Sequence, residues 1–156
     1  MDPLHFMRLA IDRSREAIAK GAGGPFGAVI VRNENVIAAG HNEVLATNDP
    51  TAHAEIVAIR RAAQALGRFD LSDCEIFASS EPCPMCLGAA YWARLRKIHY
   101  GNTRADVAGI GFDDQFFYEE LASSAHLRRT PMAPLGRDEA IVVFQDYLKL
   151  PGRRVY

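Results

Sequence analysis

Two short segments constrain this chain more than any other feature: Pro50-Thr51-Ala52-His53-Ala54-Glu55 and Glu81-Pro82-Cys83-Pro84-Met85-Cys86, each where a strand or loop feeds a helix. One imidazole and two thiolates suit a borderline-soft ion that prefers tetrahedral coordination, with the fourth position left for water. Residues two apart on a regular helix point to different sides, so His53 and Glu55 serve one centre only if His53 sits in the entering turn. The same holds for Cys83 and Cys86, with Pro84 suited to a first helical turn. The spacing therefore predicts two helix N-termini converging on a metal, where their N–H groups and dipoles favour thiolates and a bound hydroxide.

Zinc in such a triad brings its water to a pKa of ~7, which makes a hydroxide nucleophile available near neutrality. Glu55, two residues from a ligand and not needed as one, is placed to carry that proton to a substrate nitrogen. The competing reading is a closed structural zinc, which needs a fourth protein ligand; Cys74 or His99 would have to supply it. A redox role for the Cys83–Cys86 pair leaves His53 and Glu55 unexplained.

Asp2-Pro3 reads as a helix cap and first turn, and Met7, Ala10, Ile11, Ser14 and Ile18 recur at helical spacing until Lys20-Gly21. After the Gly21-Ala22-Gly23-Gly24-Pro25 loop, residues 26–32 and 36–39 form a hairpin around Asn33-Glu34-Asn35. Asp49-Pro50-Thr51 announces a second helix ended by Gly67, then come a strand over 74–79, a helix over 84–94 and a strand over 97–100. This alternation predicts an α/β fold with a partly parallel sheet and helices on its faces. Residues 112–121 and 138–148 read as helical, Pro131 and Pro134 mark a loop, and the tail from Pro151 is irregular. Trp92 is expected to pack behind the metal-bearing turn, and Cys74 to be a small buried residue. His5, His41, His99 and His126 show no ligand spacing with one another.

With 156 residues and no stretch of linker composition, a single domain over 1–156 is expected. The formal net charge of -1 argues against a broad phosphate-binding surface, so no nucleic-acid partner is expected. Charged residues interrupt the first twenty positions, which excludes a signal peptide or spanning helix there and points to a cytoplasmic protein without a membrane. Three cysteines suit a reducing compartment better than a disulfide framework.

Taken with Gly24-Pro25-Phe26-Gly27-Ala28, Gly40-His41-Asn42, Thr47-Asn48-Asp49-Pro50, residues 87–94 and Gly111-Phe112-Asp113-Asp114, the two metal-binding segments resemble the cytidine and deoxycytidylate deaminase superfamily, nearest its bacterial guanine deaminase branch. The resemblance implies a three-layer α/β/α fold with a mixed central sheet and one zinc ion per subunit held by His53, Cys83 and Cys86, with Glu55 catalytic. It also implies a homodimer whose C-terminal segment, about 112–156, is exchanged to complete the partner's site. On the same ground Asn42 would bond a purine carbonyl or ring nitrogen, the Ala54 backbone would meet the base edge, and Asp114 would hold the amino and ring N–H side. Phe26 would stack on the base and Tyr156 would close the lid.

Each of these has a plainer reading: a turn residue for Asn42, core for Phe26, a helix cap for Asp114, a frayed end for Tyr156. The implied reaction is hydrolytic deamination of a free nucleobase, guanine to xanthine and ammonia, in purine catabolism. Ammeline or cytosine as substrate, adenosine in tRNA, and a non-catalytic structural-zinc module are the alternatives.

Overall fold

Strand β1 (Gly27–Arg32) is buried along nearly its whole length, because it lies inside a sheet covered on both faces. The computed structural model describes residues 2–156. In chain order its elements are α1 (Pro3–Ala19), β1, β2 (Asn35–His41), α2 (Val44–Thr47), α3 (Ala54–Leu66), β3 (Glu75–Ser80), α4 (Pro84–Trp92), β4 (Lys97–Asn102), α5 (Arg104–Gly109), α6 (Asp114–Ala122) and α7 (Arg137–Lys149), with a 3-10 turn at Ala125–Leu127 before α7.

The strands run in the order β2-β1-β3-β4, with β1 antiparallel to both its neighbours and β4 parallel to β3. Asn33 and Glu34, at φ of 48° and 61°, form the two-residue turn between β1 and β2. Positive φ at both positions gives the turn a twist that matches its strands. Side chains along β1 alternate between two cores. Val29 and Val31 join Phe77 of β3 and Phe6 and Ala10 of α1 on one face. Ala28 and Ile30 join Ile76 and the small side chains Ala54, Ala58 and Ala62 of α3 on the other. This is the expected α/β/α layering around a mixed sheet.

Helix α3 starts later than the Asp49-Pro50-Thr51 signal suggests. The Asp49 carboxylate accepts from Thr51 N at 2.8 Å and Thr51 Oγ1 at 2.7 Å, closing a turn of its own before the helix begins. His53, in extended conformation, is the N-cap, and Gly67 at φ 63° ends the helix. Gly40 of β2 allows α3 to lie unusually close. A Cβ there would stand 2.7 Å from the Ala54 carbonyl oxygen and 2.9 Å from the Ala58 nitrogen, against the first turn that carries His53 and Glu55.

Trp92 does not pack behind the metal-bearing turn; it is 68% exposed, and Tyr91 beside it is exposed as well. The inward positions of α4 are filled by Cys86 and Ala90, which leaves the large aromatics on the outer side. Cys74 is fully buried, as expected. Two short helices, α2 and α5, were not foreseen, being too brief to establish an apolar period.

The chain divides into two compact units, the first ending at Gln115 and the second running Phe116–Tyr156. The second holds most of α6, the 3-10 turn and α7. Within it Arg128 donates to the backbone oxygen of Glu120, and Tyr147 donates to that of Arg154. No residue from 116 to 156 is buried, and Leu135, Val143, Phe144 and Val155 are among its exposed apolar side chains.

Candidate active site

His53 and Cys83 are the N-caps of α3 and α4, and Cys86 lies in the first turn of α4. The N-termini of both helices thus meet, each preceded by an extended residue that turns its side chain toward the same point. His53 Nδ1 lies 3.6 Å from Cys83 Sγ and 3.5 Å from Cys86 Sγ. A tetrahedral zinc with bonds of ~2.3 Å to sulfur and ~2.1 Å to nitrogen requires nitrogen–sulfur separations of about 3.6 Å. The donor set therefore fits such an ion in both chemistry and spacing. Among the described residues no further His, Cys, Asp or Glu joins this group, so neither Cys74 nor His99 closes it. His99 is instead engaged with Glu75 at 2.8 Å and stacked on Phe77.

The electrostatics of the group follow from sharing protons at close range. A hydrogen bond from Cys86, with another from His53, lowers the Cys83 thiol to about 4, and the bond to Cys83 raises both Cys86 and His53. Burial pushes the Glu55 carboxyl up to about 7. Its Oε2 lies 3.5 Å from Cys86 Sγ. A carboxyl poised near neutrality takes up and releases protons with little bias.

A cavity of about 270 Å³ opens onto this centre, and His53, Glu55, Cys83, Asn42, Phe26 and Asp114 are in its wall. Phe26 is half-buried and packs against the core of Ala28 and Ile30, and it meets Phe112 edge-on with centroids 5.0 Å apart. Asn42 is buried and does form a turn, its Oδ1 accepting from Val44 N at 3.1 Å, while its backbone N–H donates to Phe26 O at 3.0 Å. Asp114 is the first residue of α6, and its carboxyl is raised by burial and then by the nearby Cys83. Ala54 is fully buried at the start of α3 and its side chain belongs to the core. Tyr156 is exposed at the end of the second unit.

Several wall residues stand in segments that the sequence singles out but carry no site role there, among them Gly23, Gly24, Phe112 and Glu81. Glu81 precedes the cysteine motif and is braced from the β4–α5 junction. Its carboxylate accepts from Arg104 N at 2.9 Å and Arg104 Nη2 at 3.1 Å, and its own N–H donates to Asn102 O at 2.8 Å. Those contacts, led by the Arg104 backbone N–H, hold its carboxyl below the usual range. The position of Glu81 beside Pro82-Cys83 was visible in the sequence; its partner, far along the chain, was not.

Residues 2–102 match the family described as the cytidine and deoxycytidylate deaminase zinc-binding region. The chain is 44% identical over 151 residues to guanine deaminase of Bacillus subtilis (strain 168), covering 97% of each, and it superimposes on the X-ray structure of guanine deaminase from Bacillus subtilis with a TM-score of 0.97, covering 100% of this chain and 99% of that one. It is 43% identical over 121 residues to a tRNA-specific adenosine deaminase of Agrobacterium fabrum (strain C58), covering 78% of this chain and 79% of the relative. A mutant protein solved in complex with 8-azaguanine is similar at a TM-score of 0.69 and 38% identity, over 72% of this chain and 65% of that one. The span matched by the family takes in His53, Glu55, Cys83, Cys86 and all four strands, and the chain belongs to the cytidine and deoxycytidylate deaminase family.

Proposed function

We propose that this chain hydrolyses guanine to xanthine and ammonia. The observation that carries the reading is the placement of Glu55, buried beside Cys86 and in the wall of the same cavity as His53 and Cys83. Identity of 44% to guanine deaminase along 97% of the chain, against 43% along 78% and 30% along 93% for two tRNA-specific relatives, supports guanine over adenosine in RNA.

His53, Cys83 and Cys86 would hold one zinc ion per subunit, which when bound supplies Lewis acidity that activates water near neutral pH. Glu55 takes a proton from the attacking water and delivers it to the ring nitrogen beside the amino-bearing carbon. The carbon becomes tetrahedral as the new C–O bond forms. Glu55 then passes the second proton to the amino group, the C–N bond breaks, ammonia leaves and the oxygen stays on the ring. Asn42 donates to an acceptor on the purine edge, Asp114 receives the amino and ring N–H side, the Ala54 backbone meets the base edge, and Phe26 packs on its face.

The same reading includes a cytoplasmic homodimer in purine catabolism, with the segment from about 112 to 156 exchanged so that Tyr156 covers the partner's site. Support comes from the second unit, where no residue is buried and even apolar side chains lie open, Leu135 being 98% exposed and Phe144 largely so. Apolar surface of that kind is costly in water and is covered by association in symmetric oligomers.

The test is ammonia release from guanine, adenine, cytosine, cytidine, guanosine and ammeline by zinc-loaded protein. Guanine turnover well above the others is expected. Silence on guanine with turnover of another base transfers the reading to that substrate, and silence throughout removes it.

A further inference from the structure

The turn at Asn42 uses only half of its side-chain amide. Val44 N is a donor, so the atom facing it must be the amide oxygen, and the 3.1 Å bond fixes which end of the amide is which. The Nδ2 end makes no hydrogen bond among the described residues, although Asn42 is only 3% exposed and lines the cavity. An amide NH2 left over in this way at a cavity wall is a donor free for something that enters.

Gly23 lies directly against that amide. A Cβ on Gly23 would fall onto Asn42 Oδ1, 2.8 Å from Asn42 Cγ and 3.1 Å from the Asn42 carbonyl oxygen; its three nearest neighbours all belong to this one residue. Gly23 does not have a positive φ, so its backbone would accept an L side chain without strain. The loop is held in place from the other side, since Ala22 O accepts from Leu45 N at 3.0 Å and from Ala46 N at 3.1 Å. Backbone conformation therefore gives no reason for glycine at position 23, and the Asn42 amide does.

We infer that Gly23 is a positioning residue for substrate recognition: by lacking a side chain it lets the Asn42 amide keep its oxygen on Val44 and present its NH2 to an acceptor on the purine edge. The inference rests on the guanine reading for its ligand, and on geometry alone for the coupling between Gly23 and Asn42. A side chain at 23 displaces the amide, breaks the turn bond and removes the donor from the cavity. A pocket that relies on such a donor loses about ten- to a hundred-fold in specificity constant when it is withdrawn.

The experiment is a double-mutant cycle of Gly23→Ala and Asn42→Ala in the full-length, zinc-loaded protein, read by guanine kcat/KM, zinc content and thermal midpoint. Gly23→Ala should lower kcat/KM about ten- to a hundred-fold, mainly through KM, with zinc retained, and should cost nothing further in the Asn42→Ala background. Should Gly23→Ala alone fail to fold, recovery of folded, zinc-bound protein in the double variant supports the same coupling. Equal losses in both backgrounds, an unaffected single variant, or a double variant that also fails to fold would overturn it. Wild-type turnover of guanine tests the functional reading separately, and the thermal cycle reports the coupling whether or not guanine is the substrate.

Discussion

Glu55 Oε2 lies 3.5 Å from Cys86 Sγ, so the carboxyl touches the donor triad without belonging to it. Its position follows from two helices that begin at the same point, α3 with His53 as N-cap and α4 with Cys83. In the proposed function the two groups have separate duties: thiols and imidazole for the metal, carboxyl for protons.

The separation can be tested on the cysteines. Cys86→Ser should strip zinc from the protein, measured by atomic absorption after dialysis, because hydroxyl is a much poorer ligand than thiolate for a soft-leaning ion. Cys74→Ala should leave zinc stoichiometry unchanged and lower stability by about 1 kcal/mol or more through lost core packing. Equal zinc loss in both would place Cys74 in the site.

For Glu55 the sign of the pH effect follows from burial. The ordinary carboxyl value is 4.5 and the folded one is raised to about 7. Below pH 4.5 the group is protonated folded or unfolded and costs nothing. As pH rises toward 7 the unfolded chain ionises and the folded one does not, so folding is progressively penalised; above 7 the penalty is constant. In zinc-stripped protein, Glu55→Gln should therefore gain on wild type between pH 5 and pH 8 by an amount on the order of 2–3 kcal/mol. Urea midpoints with chelator present measure it, and a pH-independent difference contradicts the buried, raised carboxyl.

Most of what frames the site was legible in the sequence because it is local. Asp2-Pro3 caps α1, Asn33-Glu34 turns the hairpin, Gly67 ends α3, and the two metal-binding segments place their helices. Relations set by distant parts of the chain were not legible. Trp92 has the composition of a core residue, yet small residues fill the inward side of α4 and leave it exposed. Phe112 reaches Phe26 only because the chain returns after α5, and no period marks a six-residue helix. Asn42 shows the limit from the other side: the plain turn reading and the binding reading concern different ends of one amide.

Arg104 should brace the cysteine loop through Glu81. Arg104→Ala removes the 3.1 Å side-chain bond but keeps the 2.9 Å backbone bond, so the loss is partial. A stability decrease on the order of 1 kcal/mol is expected for this half-buried pair, with zinc retained and Arg104→Lys intermediate. Thermal midpoints check it; no change in either variant would mean that the backbone bond alone holds the loop.

Asn42→Asp isolates the polarity of the amide. Aspartate still accepts from Val44 N and keeps the turn, but it offers a second acceptor where the NH2 stood. The thermal midpoint should fall at neutral pH, where a carboxylate at this 3% exposed position is penalised, while kcat/KM for guanine falls a hundred-fold or more. Unchanged kinetics would show that the side chain serves the turn alone.

The most direct measurement is guanine turnover by wild type and by Glu55→Gln, with zinc content determined on both. The account predicts equimolar xanthine and ammonia from wild type, and a loss of at least a hundred-fold in a Glu55→Gln protein that remains folded and zinc-replete. Undiminished turnover in that variant would contradict the role of Glu55 as the proton carrier.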